Sequence, residues 1–462
     1  MLRSKKDYLR QLNDGRQVYF GGEPVANVAE FAATKGGAQT IGDIIECHSN
    51  DRQLTYRDEQ TGVSYPYSYA IPKSQEMLAG KGKAFRKVAE LTGGLMARTP
   101  DFLATMLASW ENVSDVFGQY AGNVRNYYRY SRDHFVCHSH AISDPPVDRY
   151  RQKDNGLRKV GQTDEGIIVS GVKMLATLAP LCDELLIYPY KPLPQDRPDR
   201  AISFAVPINT PGLKLICRDG LSESKNLFDS PLSGRFDEID CVCIFDNVLV
   251  PNDRVFIDGD VEFANTLRDK TNMVSFLWQQ GAIRVAVEAD MLAGVAIQLA
   301  EYSGRNVNTE VTSMLGQLMS QAEAINALVM AAEINFIRDD QQTYTCNLKS
   351  LGAVKTLAFD FYERAIANIR KIGASDLVVV PSKEMLVNID GLVDYYGGSP
   401  EDNFEYIKLL KLASELAVKN FAGRQLLYEE FYLGPQILLK SIQYQKHDRS
   451  KYTDLVQSLI TY

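Results

Sequence analysis

The sequence predicts an α+β protein of three parts: a mainly helical segment at residues 1–135, a small β-barrel or sandwich at 136–260 and a four-helix bundle at 261–462. Two observations support this order. The spacing of apolar residues changes from a helical to a strand pattern near residue 136, and back near residue 261. The 462 residues also suffice for about three domains of ~150 residues each.

The clearest helical pattern of the first part runs from Pro100 to Phe117. Leu103, Leu107 and Trp110 recur there at intervals of three or four residues. Because proline is favoured in the first turn of a helix, Pro100 marks the start. We therefore expect a helix with one buried face.

The middle part contains short runs rich in β-forming residues, separated by Pro, Gly and Asp. These runs are GIIVSGVKML, DELLIYPY, AISFAVPI, LKLIC and CVCIFDNVLVP. Runs of this length with such separators are typical of a small antiparallel barrel or sandwich.

The last part has four apolar stripes with helical spacing. Their members are Val285, Ala289, Leu292, Ala296 and Leu299; Leu315, Leu318, Ala322, Ile325, Val329, Ala332 and Phe336; Val354, Leu357, Phe361, Ala365 and Ile369; and Ile407, Leu410, Ala417 and Phe421. One-sided stripes on four helices predict a bundle core.

Composition excludes several classes of function. The net charge of −8 provides no basic surface for nucleic acid or an anionic membrane. Seven cysteines, an odd number in a long chain, do not form a disulfide framework, which favours the cytoplasm. The sequence shows no secretion signal and no apolar run of about 18 residues.

Three of the five histidines, His134, His138 and His140, lie within seven residues. On a strand, His138 and His140 share a face, but no spacing typical of metal ligands completes a zinc site, so no metal is expected. His134 and His138 are interpreted as structural. His140 precedes the restricted turn Asp144-Pro145, which would hold it as a general base.

Three further segments carry polar groups with open interpretations. Arg98 comes just before a helix start, as a functional or a surface residue. The Thr177 hydroxyl lies in an apolar run. It is interpreted either as a hydrogen-bond partner of a ligand or as one of the protein backbone. The small residues Ala422 and Gly423 allow close approach of either a flat ring or another helix. Arg424 is interpreted either as a ligand of a phosphate or as part of a helix-packing surface.

A nicotinamide-binding domain is not indicated. No Gly-x-Gly-x-x-Gly follows a strand, and the sequence has no Walker loop or Gly-x-Ser-x-Gly elbow.

Together these segments resemble the reduced-flavin-dependent phenol hydroxylases, the family of the 4-hydroxyphenylacetate 3-monooxygenase oxygenase component, which has an acyl-CoA dehydrogenase-like fold. The resemblance rests on Arg98-Thr-Pro-Asp, on the segment from His140 to Arg149, on 171–180, on 236–251 and on Phe421-Ala-Gly-Arg424.

The resemblance implies roles for individual residues. Arg98 and His140 would contact the phenolic hydroxyl of the substrate, beside Phe102. The residues that would line the flavin are Pro146, Val147, Asp148, Arg149, Thr177, Ala422, Gly423, Arg424 and Gln425.

The family chemistry uses FAD as FADH2 together with O2. A flavin C4a-hydroperoxide hydroxylates the ring ortho to the phenolic hydroxyl, and a separate NAD(P)H:flavin reductase supplies FADH2. The resemblance also implies a homotetramer, a dimer of dimers, with an oligomerisation tail at the end of the chain.

The sequence departs from the family at Phe102, where many members have tyrosine. A hydrogen bond of the family is therefore missing or comes from elsewhere. This leaves the substrate open between a simple phenol, a larger phenol and a carrier-bound phenol.

Three alternatives remain. An oxygen-independent flavin dehydratase of the same fold needs an iron-sulfur cluster, but residues 91–111 and 276–304 contain no cysteine. An acyl-CoA dehydrogenase needs a carboxylate base that no motif identifies. A non-catalytic helical binding protein would retain the fold without the chemistry.

Overall fold

The computed structural model describes residues 3–59, 61–145, 154–222, 224, 226–396 and 400–461. Its helices are α1 (Lys5–Gln11), α2 (Lys35–Asn50), α3 (Gln75–Glu90), α4 (Pro100–Asn112), α5 (Ala121–His134), α6 (Ser233–Phe236), α7 (Val261–Lys270), α8 (Met273–Tyr302), α9 (Thr309–Ile334), α10 (Leu348–Gly373), α11 (Lys383–Asn388), α12 (Pro400–Ala417), α13 (Asn420–Tyr432), α14 (Gln436–Lys446) and α15 (Ser450–Ile460). In the described part of the chain, no helix is both long and apolar enough to cross a membrane.

The strands form two larger sheets and two short ribbons. They are β1 (Gln17–Phe20), β2 (Glu23–Pro24), β3 (Thr55–Arg57), β4 (Ser64–Pro66), β5 (His138–His140), β6 (Arg158–Gln162), β7 (Gly166–Thr177), β8 (Glu184–Ile187), β9 (Ile202–Pro207), β10 (Leu213–Cys217), β11 (Asp240–Pro251), β12 (Val255–Asp258), β13 (Ile337–Arg338) and β14 (Tyr344–Thr345). All five predicted β runs contain a strand.

The predicted middle barrel is not closed, which corrects that part of the fold prediction. One sheet has the order β2-β1-β10-β11-β7-β6, and the other has the order β12-β9-β8-β5. Phe204 and Phe245, one from each sheet, meet with ring centroids 6.0 Å apart. Each sheet keeps two edge strands, so the arrangement is two open sheets in contact.

The sheets are also not purely antiparallel. β1 pairs with β10 in parallel, and β5 pairs with β8 in parallel. The strands β1 and β2 come from the segment predicted to be a separate helical part. Because β1 and β5 pair with strands that lie far along the chain, local spacing gave no indication of their partners.

The helix predicted from Pro100 is α4, with Pro100 in its first turn. Leu103, Leu107 and Trp110 are buried on it. The helix ends at Asn112 and a 3-10 segment follows at Ser114–Tyr120, so the predicted stretch to Phe117 contains two elements.

The predicted bundle consists of α8, α9, α10 and α12, and α8 contacts all three others. Most stripe residues are buried, which confirms them as core. Leu357 is an exception because 43% of it is exposed. Phe421 lies beyond the end of α12, on α13.

Helix α8 also packs against α3 and α4, so it lies between the bundle and the N-terminal part. Gly94 permits this contact. Its φ is +73°, and an added Cβ would lie 2.6 Å from the Glu288 nitrogen. A side chain there would push α8 away from the loop that leads to Arg98.

Candidate active site

Arg98 lies in the loop between α3 and α4, and a buried carboxylate fixes this loop. The backbone N–H groups of Ala97 and Arg98 donate to Glu238 Oε1 over 2.8 Å and 2.7 Å. Glu238 is completely buried, and burial raises the pKa of its carboxyl. The two residues are 140 positions apart in sequence, so the contact depends on the fold.

The Arg98 guanidinium lies between two aromatic rings. Its carbon is 4.2 Å from the centre of the Phe102 ring and 4.6 Å from that of Tyr432. Its Nε and Nη1 atoms are buried and have no hydrogen-bond partner among the described residues. Since buried polar groups are nearly always paired, these donors are available to a ligand.

His140 approaches the same place from β5. Its ring meets the Phe102 ring edge-on, with centroids 5.8 Å apart. Burial, and then the charge of Arg98, lower the pKa of His140 well below its ordinary value. The structure thus brings Arg98, Phe102 and His140 together, and the imidazole of His140 is neutral.

Tyr188, just beyond the end of β8, is the hydrogen-bond partner of His140. The distance from His140 Nδ1 to the Tyr188 hydroxyl is 2.7 Å. Burial raises the pKa of Tyr188, so the hydroxyl keeps its proton. In the tautomer in which Nδ1 carries the imidazole proton, Nδ1–H donates a hydrogen bond to the Tyr188 oxygen and Nε2 is a free acceptor.

The other two histidines have contacts of their own. His138 is buried, its Nε2 lies 3.2 Å from Ser131 Oγ, and burial lowers its pKa to about 4. His134 is exposed at the end of α5, with Nδ1 2.9 Å from the Tyr130 carbonyl. In the described ranges, no group of His, Cys, Asp or Glu is arranged to hold a metal ion.

The segment after His140 is held by β7. Ser143 pairs with Met174, and Asp144 forms an ion pair with Lys173 at 2.8 Å. The four residues predicted to line the flavin from this turn, Pro146, Val147, Asp148 and Arg149, lie outside the described residues.

Thr177 ends β7 and donates its hydroxyl to Asp240 Oδ1 over 2.7 Å. Neither sequence interpretation anticipated this carboxylate as the partner. Two residues earlier, Leu175 has a φ of 57° and is 63% exposed. At the end of β7, the Leu175 side chain is therefore exposed, while the Thr177 hydroxyl is directed at Asp240.

Arg424, in the first half of α13, reaches the same carboxylate. Its Nε and Nη2 lie 3.1 Å from the two Asp240 oxygens, and its Nη1 lies 3.4 Å from Glu238 Oε2. The guanidinium also covers the Tyr428 ring at 4.1 Å. Its charge is therefore balanced within the chain rather than left for a phosphate.

The neighbours of Arg424 differ in exposure. Gly423 is exposed, and an added Cβ would meet no atom within 4 Å. Ala422 is half-buried. Gln425 is buried and donates to Glu429 Oε1 over 2.9 Å. Thus Ala422 and Gly423 border open space, while Gln425 packs inward.

Glu238 connects the two groups of residues. One of its oxygens binds the backbone beside Arg98, and the other faces Arg424. Thr177 joins the same network through Asp240. The predicted substrate residues and the described predicted flavin residues therefore belong to one continuous region.

A buried ion cluster supports this region from α8. Arg284 donates to both oxygens of Glu429, over 2.9 Å and 2.6 Å, and to the Gly94 carbonyl over 2.8 Å. Its guanidinium carbon lies 4.9 Å from the Tyr432 ring centre. The cluster joins α8, α13 and the loop before Arg98.

Sequence reasoning did not single out Tyr188, Tyr432 or Glu238. Tyr188 lies within the DELLIYPY run, which is interpreted only as a strand, and Glu238 lies in a segment that serves only for the resemblance. No local spacing indicates that Tyr188 contacts a residue 48 positions earlier. Clusters of tyrosine near the end of a helix, such as Tyr428 and Tyr432, are the one available signal.

Comparison with known proteins covers the whole chain. The models of the 4-hydroxyphenylacetate 3-hydroxylase N-terminal and C-terminal regions match residues 4–257 and 264–461. The chain is 31% identical to the 4-hydroxyphenylacetate 3-monooxygenase oxygenase component of Thermus thermophilus, over 100% of this chain and 98% of that protein.

A solved structure of that type of oxygenase component, complexed with FAD and 4-hydroxyphenylacetate, is similar throughout. The TM-score is 0.93 at 31% identity, covering 99% of this chain and 98% of the other.

Two more distant structures share the fold. An oxygen-tolerant 4-hydroxybutyryl-CoA dehydratase from N. maritimus matches with a TM-score of 0.87 at 20% identity, covering 99% and 95% of the two chains. A glutaryl-coenzyme A dehydrogenase matches with a TM-score of 0.55 at 11% identity, covering 97% and 94%. The expected acyl-CoA dehydrogenase-like fold is confirmed.

Proposed function

Because this chain belongs to the 4-hydroxyphenylacetate 3-hydroxylase family, we propose that it is the oxygenase component of a two-component monooxygenase that hydroxylates a phenol. It is a flavin-dependent enzyme of the oxidoreductase class. The observation that carries its reaction is the convergence of Arg98, with unpartnered buried nitrogens, on the neutral His140.

The described residues fit a flavin. Gly423 borders open space, and Leu175 offers an exposed apolar side chain at the end of β7. The buried Nε and Nη1 atoms of Arg98 have no hydrogen-bond partner among the described residues. FAD in its reduced form, together with O2, supplies the oxygen atom that is transferred. We propose that Thr177 and the stretch from Ala422 to Gln425 line its binding site.

The protein residues prepare the phenol for attack. In the tautomer that we propose, His140 Nδ1–H donates to the Tyr188 oxygen 2.7 Å away, and Nε2 accepts the phenolic proton. The Arg98 guanidinium stabilises the resulting phenolate. Since a phenolate ring is electron-rich at the positions beside its oxygen, the new oxygen enters ortho to it.

Phe102 completes the pocket without a hydroxyl. Its ring fills the space between Arg98 and His140, and only 8% of it is exposed. Phe102 offers the substrate hydroxyl no hydrogen bond, and we propose Arg98 and His140 as its partners. The ring also keeps water from the reacting atoms, as an oxygen-transfer site requires.

The proposed partners follow from the reaction. A separate NAD(P)H:flavin reductase supplies FADH2, and the substrate is a phenol, either free or attached to a carrier. We propose a homotetramer and a cytoplasmic location. The cytoplasm is supported by the seven cysteines, all of which are free thiols.

The oxygen-independent dehydratase is the second candidate because that fold is shared. An iron-sulfur cluster needs several thiolates close together. The segments that surround Arg98 and Arg284, residues 91–111 and 276–304, contain no cysteine. The donor set therefore favours the monooxygenase.

A phenol panel tests the proposal. The purified protein is combined with FAD, NADH and a general flavin reductase, and products are analysed by mass. We expect a product heavier by one oxygen from at least one phenol. If the protein binds neither FAD nor FADH2 at micromolar concentration, the proposal is wrong.

His140→Ala tests the role of the base. We expect flavin binding to persist while oxygen consumption no longer yields catechol, because the ring is not activated. General bases contribute roughly 10²- to 10⁴-fold, so the hydroxylation rate should fall by at least ~100-fold. His134→Ala, an exposed neighbour, is the control. An unchanged catechol yield would remove His140 from the mechanism.

A further inference from the structure

A cavity with a volume of about 600 Å³ is lined by chain segments that continue from active-site residues. Its walls come from the chain after β8, from α7, from the starts of α8 and α10, and from α14 with the residues just before it. Cavities of 300–1,000 Å³ are of the size that holds a drug-sized ligand. The volume therefore accommodates more than a single phenol ring.

The cavity adjoins the active site at two points. Tyr188 binds His140, and the next residues, Pro189 to Pro192, line the cavity. Tyr432 stacks on Arg98, and the next residues, Leu433 to Pro435, line the cavity as well. The charge of Arg268, a lining residue, acts on Tyr188. The chain segments that follow Tyr188 and Tyr432 thus connect the cavity to the residues around His140 and Arg98.

The lining of the cavity is strongly basic. Its cationic side chains are Lys191, Arg268, Lys349, Lys355 and Lys446, together with His447, and the only acidic side chain is Asp269. The whole chain has a net charge of −8, so the excess of positive charge is confined to this cavity and does not reflect the overall composition. A concave basic surface attracts and retains anions.

Lys355 is unusual among these cationic side chains because it is buried. It is 5% exposed, and its Nζ lies 3.5 Å from the centre of the Trp278 ring. Within the described residues it has no carboxylate partner and no hydrogen bond from its Nζ. Burial and the nearby Arg268 lower its pKa well below the ordinary value, and a bound anion would reverse that shift. A buried lysine left without a counter-ion indicates a place for an anionic group.

We propose that this cavity, called the cationic cavity, binds an anionic group carried by the phenolic substrate, with Lys355 and Arg268 as its principal contacts. The inference rests on the proposed hydroxylase function and specifies its substrate class. The ring is held at Arg98 and His140, and the anionic end lies among the lysines. Discrimination among phenols then depends on charge rather than on a tyrosine at position 102.

The anionic group has two potential sources with the same chemistry. One is the carboxylate of a phenolic acid. The other is the phosphate of a pantetheine arm that carries the phenol as a thioester, which uses more of the 600 Å³. Both accept charge-assisted hydrogen bonds from lysine and arginine.

Calorimetric binding to the FAD-loaded enzyme, without reductant, tests the inference. The ligands are 4-hydroxyphenylacetate, its uncharged amide and its 4′-phosphopantetheine thioester. We expect the wild type to bind one or both anions at least ~10-fold more tightly than the amide. Lys355→Met and Arg268→Gln should remove about 10- to 100-fold of that preference, the equivalent of a lost charge-assisted bond, and leave the amide unchanged.

Lys440→Met is the matched control, because Lys440 lies on α14 but pairs with Asp360 on the exposed side at 3.0 Å. If only the thioester binds tightly, the phosphate is the anion; if the acid does, the carboxylate suffices. Equal binding of all three ligands by the wild type, or equal weakening of all three by both variants, would overturn the inference. Should Lys355→Met fail to fold, Arg268→Gln decides.

Turnover of the same ligands separates the two proposals. An anion preference without any hydroxylated product would reject the hydroxylase function. Hydroxylation of the phenols with no anion preference would reject only the cationic cavity as a substrate site.

Discussion

We propose that the hydrogen bond between His140 Nδ1 and Tyr188 selects the nitrogen of the imidazole that acts as a base. A neutral imidazole has one N–H and one acceptor. With Nδ1–H directed at the Tyr188 oxygen, Nε2 is the acceptor. Without that oxygen, the tautomer that leaves Nε2 as the acceptor is no longer favoured, and the ring is no longer held in one orientation.

Tyr188→Phe is therefore expected to lower the rate of hydroxylation by about 10- to 100-fold, as for other residues that orient a catalytic histidine. Flavin binding should not change. The measurement is catechol formed per O2 consumed, as a function of pH. Tyr130→Phe, on α5 and in contact with Arg254 instead, is the control. A pH profile identical to that of the wild type would contradict the tautomer argument.

Asp101, in the first turn of α4, carries an unfavourable buried charge. It is 2% exposed, its Oδ2 has no partner among the described residues, and burial raises its pKa to about 6 from 3.8. The folded state thus holds this proton more tightly than the unfolded state. Stability from this group falls as the pH rises from about 4 through 6, and the penalty is complete above 6.

Asp101→Asn should relieve that penalty, since an amide does not titrate and can still accept from Thr99. We expect the melting temperature of the variant, relative to the wild type, to rise between pH 4.5 and 7. At pH 7 the gain should be on the order of 1–3 kcal/mol. A difference that does not depend on pH would mean that Asp101 is charged without penalty.

At the scale of elements, α13 explains why the two groups of functional residues are continuous. Its first turns carry Gly423 and Arg424, and its last turns carry Glu429 and Tyr432. Arg284 of α8 anchors the second half through Glu429, so the helix cannot rotate without breaking a buried ion pair. One helix therefore reaches both Asp240 and Arg98.

The apolar stripes of the bundle give a direct test of packing. Leu318 on α9 is fully buried, and Leu357 on α10 is 43% exposed although both belong to predicted stripes. Leu318→Ala should lower the free energy of unfolding by about 2–5 kcal/mol. Leu357→Ala should change it by less than about 0.5 kcal/mol. Urea denaturation measures both, and equal effects would refute the burial difference.

At the scale of the whole molecule, the end of the chain presents apolar side chains with no cover. No residue of α15 is buried, and Leu455, Val456, Leu459 and Ile460 are each more than half exposed. An isolated helix of this length is marginal in water, because helices shorter than ~12–15 residues seldom persist alone. The helix thus requires a surface to pack against, which supports the proposed assembly of several copies.

Replacing Leu455 and Leu459 together by serine should reduce the molar mass in solution, because the apolar contact between copies is lost. Light scattering coupled to size exclusion measures this mass. The control is the pair Asp454→Ser and Gln457→Ser on the same helix, which should leave the mass unchanged. An unaltered mass in the leucine variant would show that α15 does not hold the assembly together.

The five β runs of the middle part and the stripes of the bundle could be predicted from the sequence, which also singled out Arg98 and His140 as candidate site residues. Periodicity reports which face of an element is buried, and short motifs report chemistry within a few residues. Both are local properties, so they are readable along the chain.

The surface that covers the apolar face of each helix or strand depends on how these elements pack in the tertiary structure. The tertiary structure opened the predicted barrel into two sheets by adding β1 and β5 in parallel, and it exposed Leu357. It also supplied Tyr188, 48 residues from His140, and turned Thr177 and Arg424 toward Asp240. Hydrogen bonds between distant residues depend on how elements pack, and the spacing of residues along one element carries no information about that packing.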